Sequence, residues 1–296
     1  MRILHLDAGR EMRGGQWQVL RLIEGLAGAG HENLLLARRG SPLFDAARRR
    51  GIDARALNVL SLRQASRDAD IVHAHDSRSH TLAALAGIER LVVARRVAFP
   101  VRTGPASTWK YRRAAHYIAV SNFVKRMLVD AGVPESKITV VYDGVEPGTA
   151  AHGTEILVPD TDDPRKGTAL ALAAAKLAGF PLTRSRDLES DLPRAGLFVY
   201  ITHEEGLGSA VLMAMAAGVP VIASNVGGLP EIVVHEQTGL LTGNTPEAIA
   251  AAITRLMHDR PFAGCLAERA SGAIAEKFSA NRMVTATIEV YRAIAG

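Results

Sequence analysis

The sequence predicts an α/β protein built from two doubly wound, parallel-sheet domains. Apolar runs of strand length alternate with amphipathic helical segments along the chain. Glycine-rich turns separate strands from the helices that follow them, first at Gly14-Gly15 and again at Gly206 and Gly208. The length of 296 residues and the 48% of hydrophobic residues are enough for two domains, each with its own core.

The composition excludes several classes of protein and indicates the cellular compartment. A single cysteine, Cys265, excludes a disulfide framework and suits a reducing cytosol. No apolar stretch approaches the ~18 residues that a membrane span needs. Residues 1–7 are predicted to form a strand interrupted by polar residues, not a signal peptide. We therefore expect a cytoplasmic protein, and leave open a peripheral contact with the inner face of the membrane.

Charge is distributed unevenly between the two halves. Residues 1–150 contain 23 Lys and Arg against 14 Asp and Glu, whereas residues 151–296 contain 12 against 16. Two interpretations stay open: a solvated, arginine-rich surface, or attraction of an anionic membrane or acceptor. No nucleic acid partner is expected, because no aromatic interleaving or known binding module is present. Basic residues cluster at 48–50, at Arg95, Arg96 and Arg102, and at Lys110, Arg112 and Arg113.

The first half is predicted to be one open α/β domain. Its strands are expected at 2–6, 31–36, 53–57, 71–75, 91–94, 116–120 and 137–141. Its helices are expected at 16–28, 43–50, 79–86 and 122–131. Ligands of such sheets bind at the carboxyl ends of the strands. The residues there are Gly14-Gly15, His75-Asp76, Arg95-Arg96, Ser121 and Asp143-Gly144.

Three side chains near this edge are interpreted from their positions in the sequence. His73 lies inside its strand and is interpreted as a packed residue. His75, at the strand end, is either a site residue or a second packed histidine. Arg96 is either a bidentate contact to a diphosphate or an acidic acceptor, or a member of a surface ion pair.

The second half centres on residues 200–231, which are typical of strand, glycine loop, helix, strand and second glycine loop. Ser209 is predicted to be the N-cap of a helix at 210–217. Unpaired amides at the start of that helix, approached closely past Gly206 and Gly208, would form an anion site. Strands are expected at 155–159, 180–183, 197–201 and 219–223, and further helices at 167–178, 247–257, 262–278 and 279–295.

This central stretch resembles the signature of the retaining glycosyltransferases of family 4, which have the GT-B fold. That signature reads roughly E-G-x-G-x-x-x-x-E-A-M-A-x-G-x-P-V-I, followed by G-G-x-P-E and t-G-L-L. Met213 stands where the family has its second glutamate. The matching residues are Glu205, Gly206, Gly208, Ala214-Met215-Ala216, Gly218, Pro220-Val221-Ile222, Gly227-Gly228, Pro230-Glu231 and Thr238-Gly239-Leu240-Leu241.

The first half resembles the acceptor domain of the same family. The resemblance implies two Rossmann-like domains that face a cleft, with the second domain abbreviated by about one strand–helix unit. We expect residues 1–148 to form the acceptor-side domain and residues 149–278 the nucleotide-sugar-side domain. The helix at 279–296 is expected either to cross back to the first domain or to pack within the second. The matches in the first half are Gly14-Gly15, Gly30-His31, residues 70–75, 119–121 and 143–145.

The resemblance also implies roles for single residues. The donor would be a nucleotide sugar, and the acceptor a glycan or a lipid-linked molecule. Lys166 and the amides near Gly208 would hold the diphosphate, and the residue at the Met213 position would bind the ribose. The implied catalytic residues are Glu205, His75 and Arg96, and the implied donor-binding residues are Gly14, Gly15, Lys166, Gly206, Leu207, Gly208, Ser209 and Met213.

No cofactor and no metal ion are expected. Asp160, Asp162 and Asp163 offer carboxylates that a hard cation could take, but a simple turn is the other interpretation. The resemblance favours the turn, because GT-B enzymes in general do not need a divalent ion in the site.

Three functions remain open at this point. The first is sugar transfer with retention to an envelope polysaccharide or a lipid-linked acceptor, as in lipopolysaccharide biosynthesis. The second is a non-catalytic or weakly active protein, derived from a transferase, that binds a nucleotide or a sugar. The third is a nucleotide-sugar hydrolase or epimerase of GT-B type, with His75 and Glu205 as an acid/base pair.

Overall fold

We describe the protein from a computed structural model, which covers residues 1–101, 104–161, 163 and 165–296. The chain divides into two compact units. Unit 1 comprises Met1–Asp143 and Ala280–Gly296, and unit 2 comprises Gly144–Ser279. Each unit contains a parallel sheet with helices packed against it, as alternating strand and helix segments predict.

Unit 1 contains a seven-stranded sheet, and its strand pairs are all parallel. Its strands are β1 Arg2–Asp7, β2 Glu32–Ala37, β3 Ala54–Ala56, β4 Ile71–Ala74, β5 Leu91–Arg95, β6 His116–Ala119 and β7 Ile138–Val140. They lie in the order β3-β2-β1-β4-β5-β6-β7. Its first six helices are α1 Gly14–Gly28, α2 Pro42–Arg49, α3 Val59–Arg67, α4 Ser77–Leu85, α5 Pro105–Arg112 and α6 Asn122–Asp130.

Two helices of unit 1 were not predicted from the sequence, and neither has an extensive buried apolar face. Helix α3 buries only Leu62, and α5 buries no residue. Both rely on their first turns instead. Asn58 and Ser61 form a capping box at α3, and Pro105 opens α5. Helix α1 begins two residues earlier than predicted, so Gly14 and Gly15 form its first turn.

Unit 2 contains a five-stranded parallel sheet in the order β12-β11-β10-β8-β9. Its strands are β8 Glu155–Pro159, β9 Thr183–Ser185, β10 Ala195–Tyr200, β11 Val221–Ser224 and β12 Leu240–Thr242. Its helices are α7 Thr168–Ala178, α8 Leu188–Asp191, α9 Ser209–Ala216, α10 Pro246–His258 and α11 Arg260–Lys277. The strand predicted at 180–183 is wrong in position, since β9 begins at Thr183, and β12 was not predicted.

The last helix, α12 Ala280–Ala295, packs on unit 1. Its buried face includes Met283, Ile288 and Tyr291, in one cluster with side chains of β1, β4 and α1. A Cβ atom at Gly25 would lie 2.4 Å from Val284 Cγ2, so the glycine allows α1 and α12 to approach closely.

Among the residues that the structure describes, no helix has both the length and the apolar character required to cross a bilayer.

Candidate functional site

The first glycine loop of unit 2 joins β10 to α9. Gly208 is the N-cap of α9, with φ of +114°, a conformation that side chains rarely adopt. The prediction that Ser209 is the N-cap is therefore wrong, and Ser209 is the first helical residue. Gly208 has no side chain with which to cap the helix, and the positive end of the helix dipole lies at this start.

The two glycine loops of unit 2 are in direct contact. The amide of Gly228 donates to the carbonyl oxygen of Glu205 over 3.1 Å. A Cβ atom at Gly227 would lie 2.0 Å from that carbonyl oxygen, and one at Gly228 would lie 2.2 Å from the carbonyl oxygen of Gly206. The second loop therefore needs glycine in order to support the first loop.

Lys166, Tyr200 and Glu205 form a half-buried polar cluster beside the first loop. The Lys166 ammonium donates to Glu205 Oε2 over 2.6 Å and to the Tyr200 hydroxyl over 2.8 Å. The Tyr200 hydroxyl donates to the same Glu205 oxygen over 2.5 Å. Burial and the neighbouring Glu205 charge raise the pKa of Tyr200 well above its usual value, so the phenol keeps its proton.

Glu205 is also held by the loop itself. The amide of Gly206 donates to Glu205 Oε1 over 3.0 Å, so both carboxylate oxygens have partners. The sequence pointed to Glu205 and Lys166, but not to Tyr200. Tyr200 is the last residue of an apolar strand and was interpreted only as part of that strand. Its position five residues before Glu205 was the signal in the sequence that could have identified it.

A second set of hydrogen bonds fixes the path of the loop between β10 and Glu205. The amide of Thr202 donates to Ser224 Oγ over 2.9 Å, and Ser224 Oγ donates to Asn244 Oδ1 over 2.6 Å. Asn244 Nδ2 returns to the carbonyl oxygen of Thr202 over 2.8 Å. Thr202 and Asn244 follow β10 and β12, and Ser224 is the last residue of β11, so neighbouring strands together position the loop. Sequence reasoning missed them because their partners are distant along the chain.

Two predicted donor-binding residues occupy distinct environments in unit 2. Leu207 is 2% exposed, so it is packed inside unit 2. Met213 is partly exposed in the second turn of α9, one turn after Ser209. Its side chain therefore lies at the surface of the same helix whose start forms the predicted anion site.

In unit 1, Gly15 and Arg96 come together at the carboxyl edge of the sheet. A Cβ atom at Gly15 would lie 3.7 Å from Arg96 Cδ. Arg96 Nε donates to Asp143 Oδ1 over 3.0 Å, and the two side chains are 14% and 7% exposed. Arg96 is thus in an ion pair, but a buried one and not the surface pair that was the alternative. Gly14 precedes Gly15 in the first turn of α1, so the same place offers helix amides and a guanidinium group.

His75 links Arg96 to a chain of hydrogen bonds that runs through His5 to Asn33. Arg96 Nη1 lies 3.3 Å from His75 Nδ1, and His75 Nε2 lies 3.0 Å from His5 Nδ1. His5 Nε2 lies 3.1 Å from Asn33 Oδ1, while Asn33 Nδ2 donates to the carbonyl oxygen of His31. Since a guanidinium can only donate, we infer that each histidine accepts through Nδ1 and donates through Nε2. Both ring nitrogens of His75 are therefore occupied.

His73 lies next to these rings and is buried, as its position inside β4 predicts. Its Nδ1 lies 2.6 Å from the Tyr291 hydroxyl. Burial lowers the pKa of His5 to about 4, and it lowers the pKa values of His73 and His75 well below the usual histidine value. The three rings are therefore neutral near pH 7. His5 was missed from the sequence, because only the pairing of β1 with β4 places it opposite His73.

The three histidines also have the donor atoms of a metal site, since one nitrogen of each lies within 4.8 Å of the others. Their hydrogen bonds fit this poorly. A metal on His75 Nε2 would require a proton on Nδ1, where Arg96 donates, and the guanidinium would repel the cation. In unit 2, Asp160 contacts Arg184 and Arg186, and Asp163 contacts Arg165. Asp162 lies outside the described residues, and so does Arg102. That no metal is needed stays a prediction.

Two parallel-sheet units with glycine loops at the starts of helices define a protein of the GT-B class. Residues 12–149 match the family Glycosyltransferase Family 4, and residues 160–272 match the family Glycosyl transferases group 1. The chain therefore carries the two domains of the GT-B glycosyltransferases of group 1, with a family 4 domain in its first half.

Individual relatives match shorter parts of the chain. A segment of 57 residues is 53% identical to the GDP-mannose-dependent alpha-(1-6)-phosphatidylinositol monomannoside mannosyltransferase of Mycobacterium tuberculosis, over 19% of this chain and 15% of that protein. A segment of 102 residues is 33% identical to the N-acetyl-alpha-D-glucosaminyl L-malate synthase of Bacillus anthracis, over 34% of this chain and 26% of that protein. The matched segments thus span about a quarter or less of these relatives.

The fold is similar to that of a solved structure over nearly the whole chain. The crystal structure of Anabaena HepE in complex with UDP and glucose matches with a TM-score of 0.87. The match covers 99% of this chain and 100% of that chain, at 17% identity.

Proposed function

We propose that this protein transfers a sugar from a nucleotide-sugar donor to an acceptor. The observation that carries the proposal is the cluster of Lys166, Tyr200 and Glu205 beside the glycine loop that opens α9. The start of α9 supplies backbone amides for a diphosphate, and Lys166 supplies a positive charge within reach of the same loop. Relatives with nucleotide-sugar or UDP in their names or titles support this choice of donor.

The contacts within this cluster indicate separate roles for Lys166 and Glu205. Glu205 neutralises Lys166 before a donor arrives, and the Tyr200 phenol holds the carboxylate in place. A donor diphosphate then competes with Glu205 for the ammonium, and the carboxylate becomes available to the sugar hydroxyls. Stabilising the charge that develops on the leaving diphosphate is the main catalytic contribution of Lys166.

His75 acts in this proposal by positioning Arg96 and does not touch the substrate. Its two ring nitrogens contact Arg96 and His5, so no nitrogen is left for proton transfer. Arg96, held by Asp143 and His75 beside Gly15, is the anion-binding group of unit 1. These contacts also argue against the hydrolase or epimerase alternative, which needs His75 as an acid or base.

We further propose a glycan or lipid-linked acceptor, with retention of configuration, and a role in making cell-envelope polysaccharide. The mannosyltransferase relative has a phosphatidylinositol mannoside in its name, which supports a lipid-linked acceptor. A basic, aromatic surface around α5 supports peripheral contact with anionic lipid. Trp109 and Phe99 are 40% and 41% exposed, and the Arg113 guanidinium lies 5.4 Å from the centre of the Trp109 ring.

Vesicle sedimentation tests the membrane contact. Trp109→Ala should release the protein from vesicles that contain anionic lipid, whereas Leu60→Ala, at an apolar residue 80% exposed on α3, should not. Equal sedimentation of both variants and the unchanged protein would contradict the α5 surface.

Met213 favours the second candidate, a binder with little or no turnover. A thioether cannot replace the two strong hydrogen bonds of a carboxylate to a ribose diol. The loss is worth roughly 1.5–3 kcal/mol, or tenfold to about a hundredfold in donor affinity.

A donor panel separates the two candidates. The protein is incubated with UDP-, GDP-, ADP- and CMP-activated sugars, and release of the nucleotide is measured beside binding of the free nucleotides by calorimetry. Turnover that Glu205→Gln abolishes supports the transferase. Binding without turnover supports the second candidate. No binding of any nucleotide, with the fold intact by circular dichroism, would contradict both.

A further inference from the structure

Unit 1 contains a second basic place, separate from Arg96. An open cavity of about 470 Å³ lies at the carboxyl edge of its sheet. Its volume is in the range of small-molecule sites. Ala8 follows β1, Leu57 follows β3, and α4 contributes the remaining wall. The lining residues are Ala8, Arg38, Arg39, Leu57, Arg78, Thr81 and Leu82.

Three arginines converge on this cavity, and its lining contains no acid. Arg38 and Arg39 follow β2, and Arg78 lies in the first turn of α4. All three are exposed, and within the described chain their guanidinium groups have neither an ion pair nor a hydrogen bond. The other arginines at this edge are used differently, since Arg95 and Arg96 contact protein groups.

The acidic residue nearest in sequence to Arg78 is Asp76, and both of its carboxylate oxygens accept hydrogen bonds from backbone amides. Asp76 Oδ2 accepts from the amide of Ala8 over 2.6 Å, and Oδ1 accepts from the amide of Arg78 over 2.7 Å. Asp76 thereby fixes the end of β1 to the start of α4, which shapes the cavity wall. Three like charges held together in a concave site repel one another unless an anion joins them.

We propose that this cavity binds an anionic group of the acceptor, a phosphate or a carboxylate. The inference rests on the proposed transferase function and gives the chemical class of its acceptor. Guanidinium groups bind phosphate and carboxylate through paired hydrogen bonds, and the apolar floor of Ala8, Leu57 and Leu82 accommodates the carbon skeleton beside the anion.

The cavity is suitably placed for an acceptor. Strand β1 pairs with β4, and the amide of His75 donates to the carbonyl oxygen of Leu6 over 2.9 Å. The cavity and the network of His75 and Arg96 therefore lie at the same edge of one sheet. An acceptor anchored through its anion would reach along this edge toward Gly15 and Arg96.

Calorimetry with defined probes tests the site. Glycerol 3-phosphate, glucose 6-phosphate and malate are compared with glycerol and glucose, and UDP is titrated separately. The double variant Arg39→Gln/Arg78→Gln should weaken binding of the three anions at least tenfold and leave the UDP affinity unchanged. Arg49→Gln, at an exposed arginine on α2, is the matched control and should change neither affinity.

Each outcome has a defined meaning. Anion binding that survives the double variant, or that is no stronger than binding of glycerol and glucose, overturns the proposal. Loss of UDP binding in the double variant would also overturn it, because the arginines would then serve the donor. If UDP fails to bind the unchanged protein while the anions bind, the transferase function fails and the anion site stands.

Vesicles distinguish the source of the anion. Phosphatidylcholine vesicles with and without phosphatidylinositol are sedimented with the protein and with the double variant. Binding of the inositol lipid that the double variant loses supports the site with a lipid headgroup as its source. Binding of the soluble phosphates alone supports it with a free acceptor. Failure of both sets of probes overturns the proposal.

Discussion

The two units place their candidate ligand groups at equivalent sheet edges but build them from different parts of the chain. Unit 2 relies on backbone: two glycine loops in contact and a helix start with glycine as its N-cap, with an ion pair beside them. Unit 1 relies on side chains: a buried arginine held by an aspartate and a line of neutral histidines. This difference shows that glycine motifs can be recognised from a sequence, whereas hydrogen-bond networks between residues on different strands cannot.

The largest effect should follow from filling the contact between the two loops of unit 2. In Gly228→Val, the new Cβ atom would overlap the carbonyl oxygen of Gly206, and rotation of the side chain gives no relief because the backbone fixes the Cβ position and the oxygen belongs to the backbone. We expect a loss of about 4 kcal/mol in unfolding free energy, together with loss of nucleotide binding. Urea unfolding measures the first and calorimetry the second.

Gly264→Ala is the control for that change, since nothing lies within 4 Å of a Cβ atom there. It should be neutral or stabilise helix α11 by up to about 1 kcal/mol. Similar destabilisation by both variants would contradict the backbone account of unit 2.

Acid should affect unit 1 through its buried histidines. The pKa of His5 is lowered to about 4 by burial, so His5 stabilises the fold above its unfolded pKa near 6.5 and that stability is lost as pH falls toward 4. The contribution is on the order of 3 kcal/mol. In urea unfolding at pH 7 and pH 5, the unchanged protein should therefore lose more stability than His5→Gln.

The control for the acid effect is His203→Gln, which changes an exposed histidine of unit 2. This variant should lose as much stability between pH 7 and pH 5 as the unchanged protein. If His5→Gln behaves in the same way, the buried histidines do not set the acid sensitivity.

Lys166→Ala should weaken nucleoside diphosphate binding by tenfold to about a hundredfold, because one charge-assisted contact is lost. Lys176→Ala, which changes an exposed lysine in the last turn of α7, should leave the affinity as it was. Calorimetry with UDP and GDP compares the two. Unchanged binding in Lys166→Ala would remove this lysine from the phosphate site.

The smallest effect is expected at Met213. Met213→Glu restores a carboxylate one turn after Ser209 and should tighten nucleotide binding up to about tenfold, since one charged hydrogen bond is regained. Met213→Gln separates the charge from the hydrogen bond. No gain in either variant would mean that the ribose is bound elsewhere.

Much of the fold could be predicted from the sequence, because alternating apolar runs and helical periodicity recur in both units. Most strands and helices lie within two residues of their predicted bounds. Helices α3 and α5 were not predicted; α3 buries only Leu62, and α5 buries no residue. The N-cap at Gly208 was misassigned to Ser209 because serine is the commoner cap, whereas the loop needs a left-handed residue.

The site was predictable only where spacing carries the information. Glu205, Gly208 and Lys166 belong to short motifs along the chain. Asn244 and His5 acquire their contacts from strand pairing, because their partners are contributed by other strands. The basic cavity is of the same kind, since Arg39 and Arg78 meet only in three dimensions.

The pairing of Lys166 with Glu205 has a consequence for turnover. An unopposed ammonium at a helix start would retain the leaving nucleotide and attract stray phosphate. Because Glu205 lies beside Lys166, the lysine would have a partner once transfer is complete. If the proposed function holds, the carboxylate that is expected to orient the incoming sugar would also favour release of the spent diphosphate, so that product affinity would not limit the next cycle.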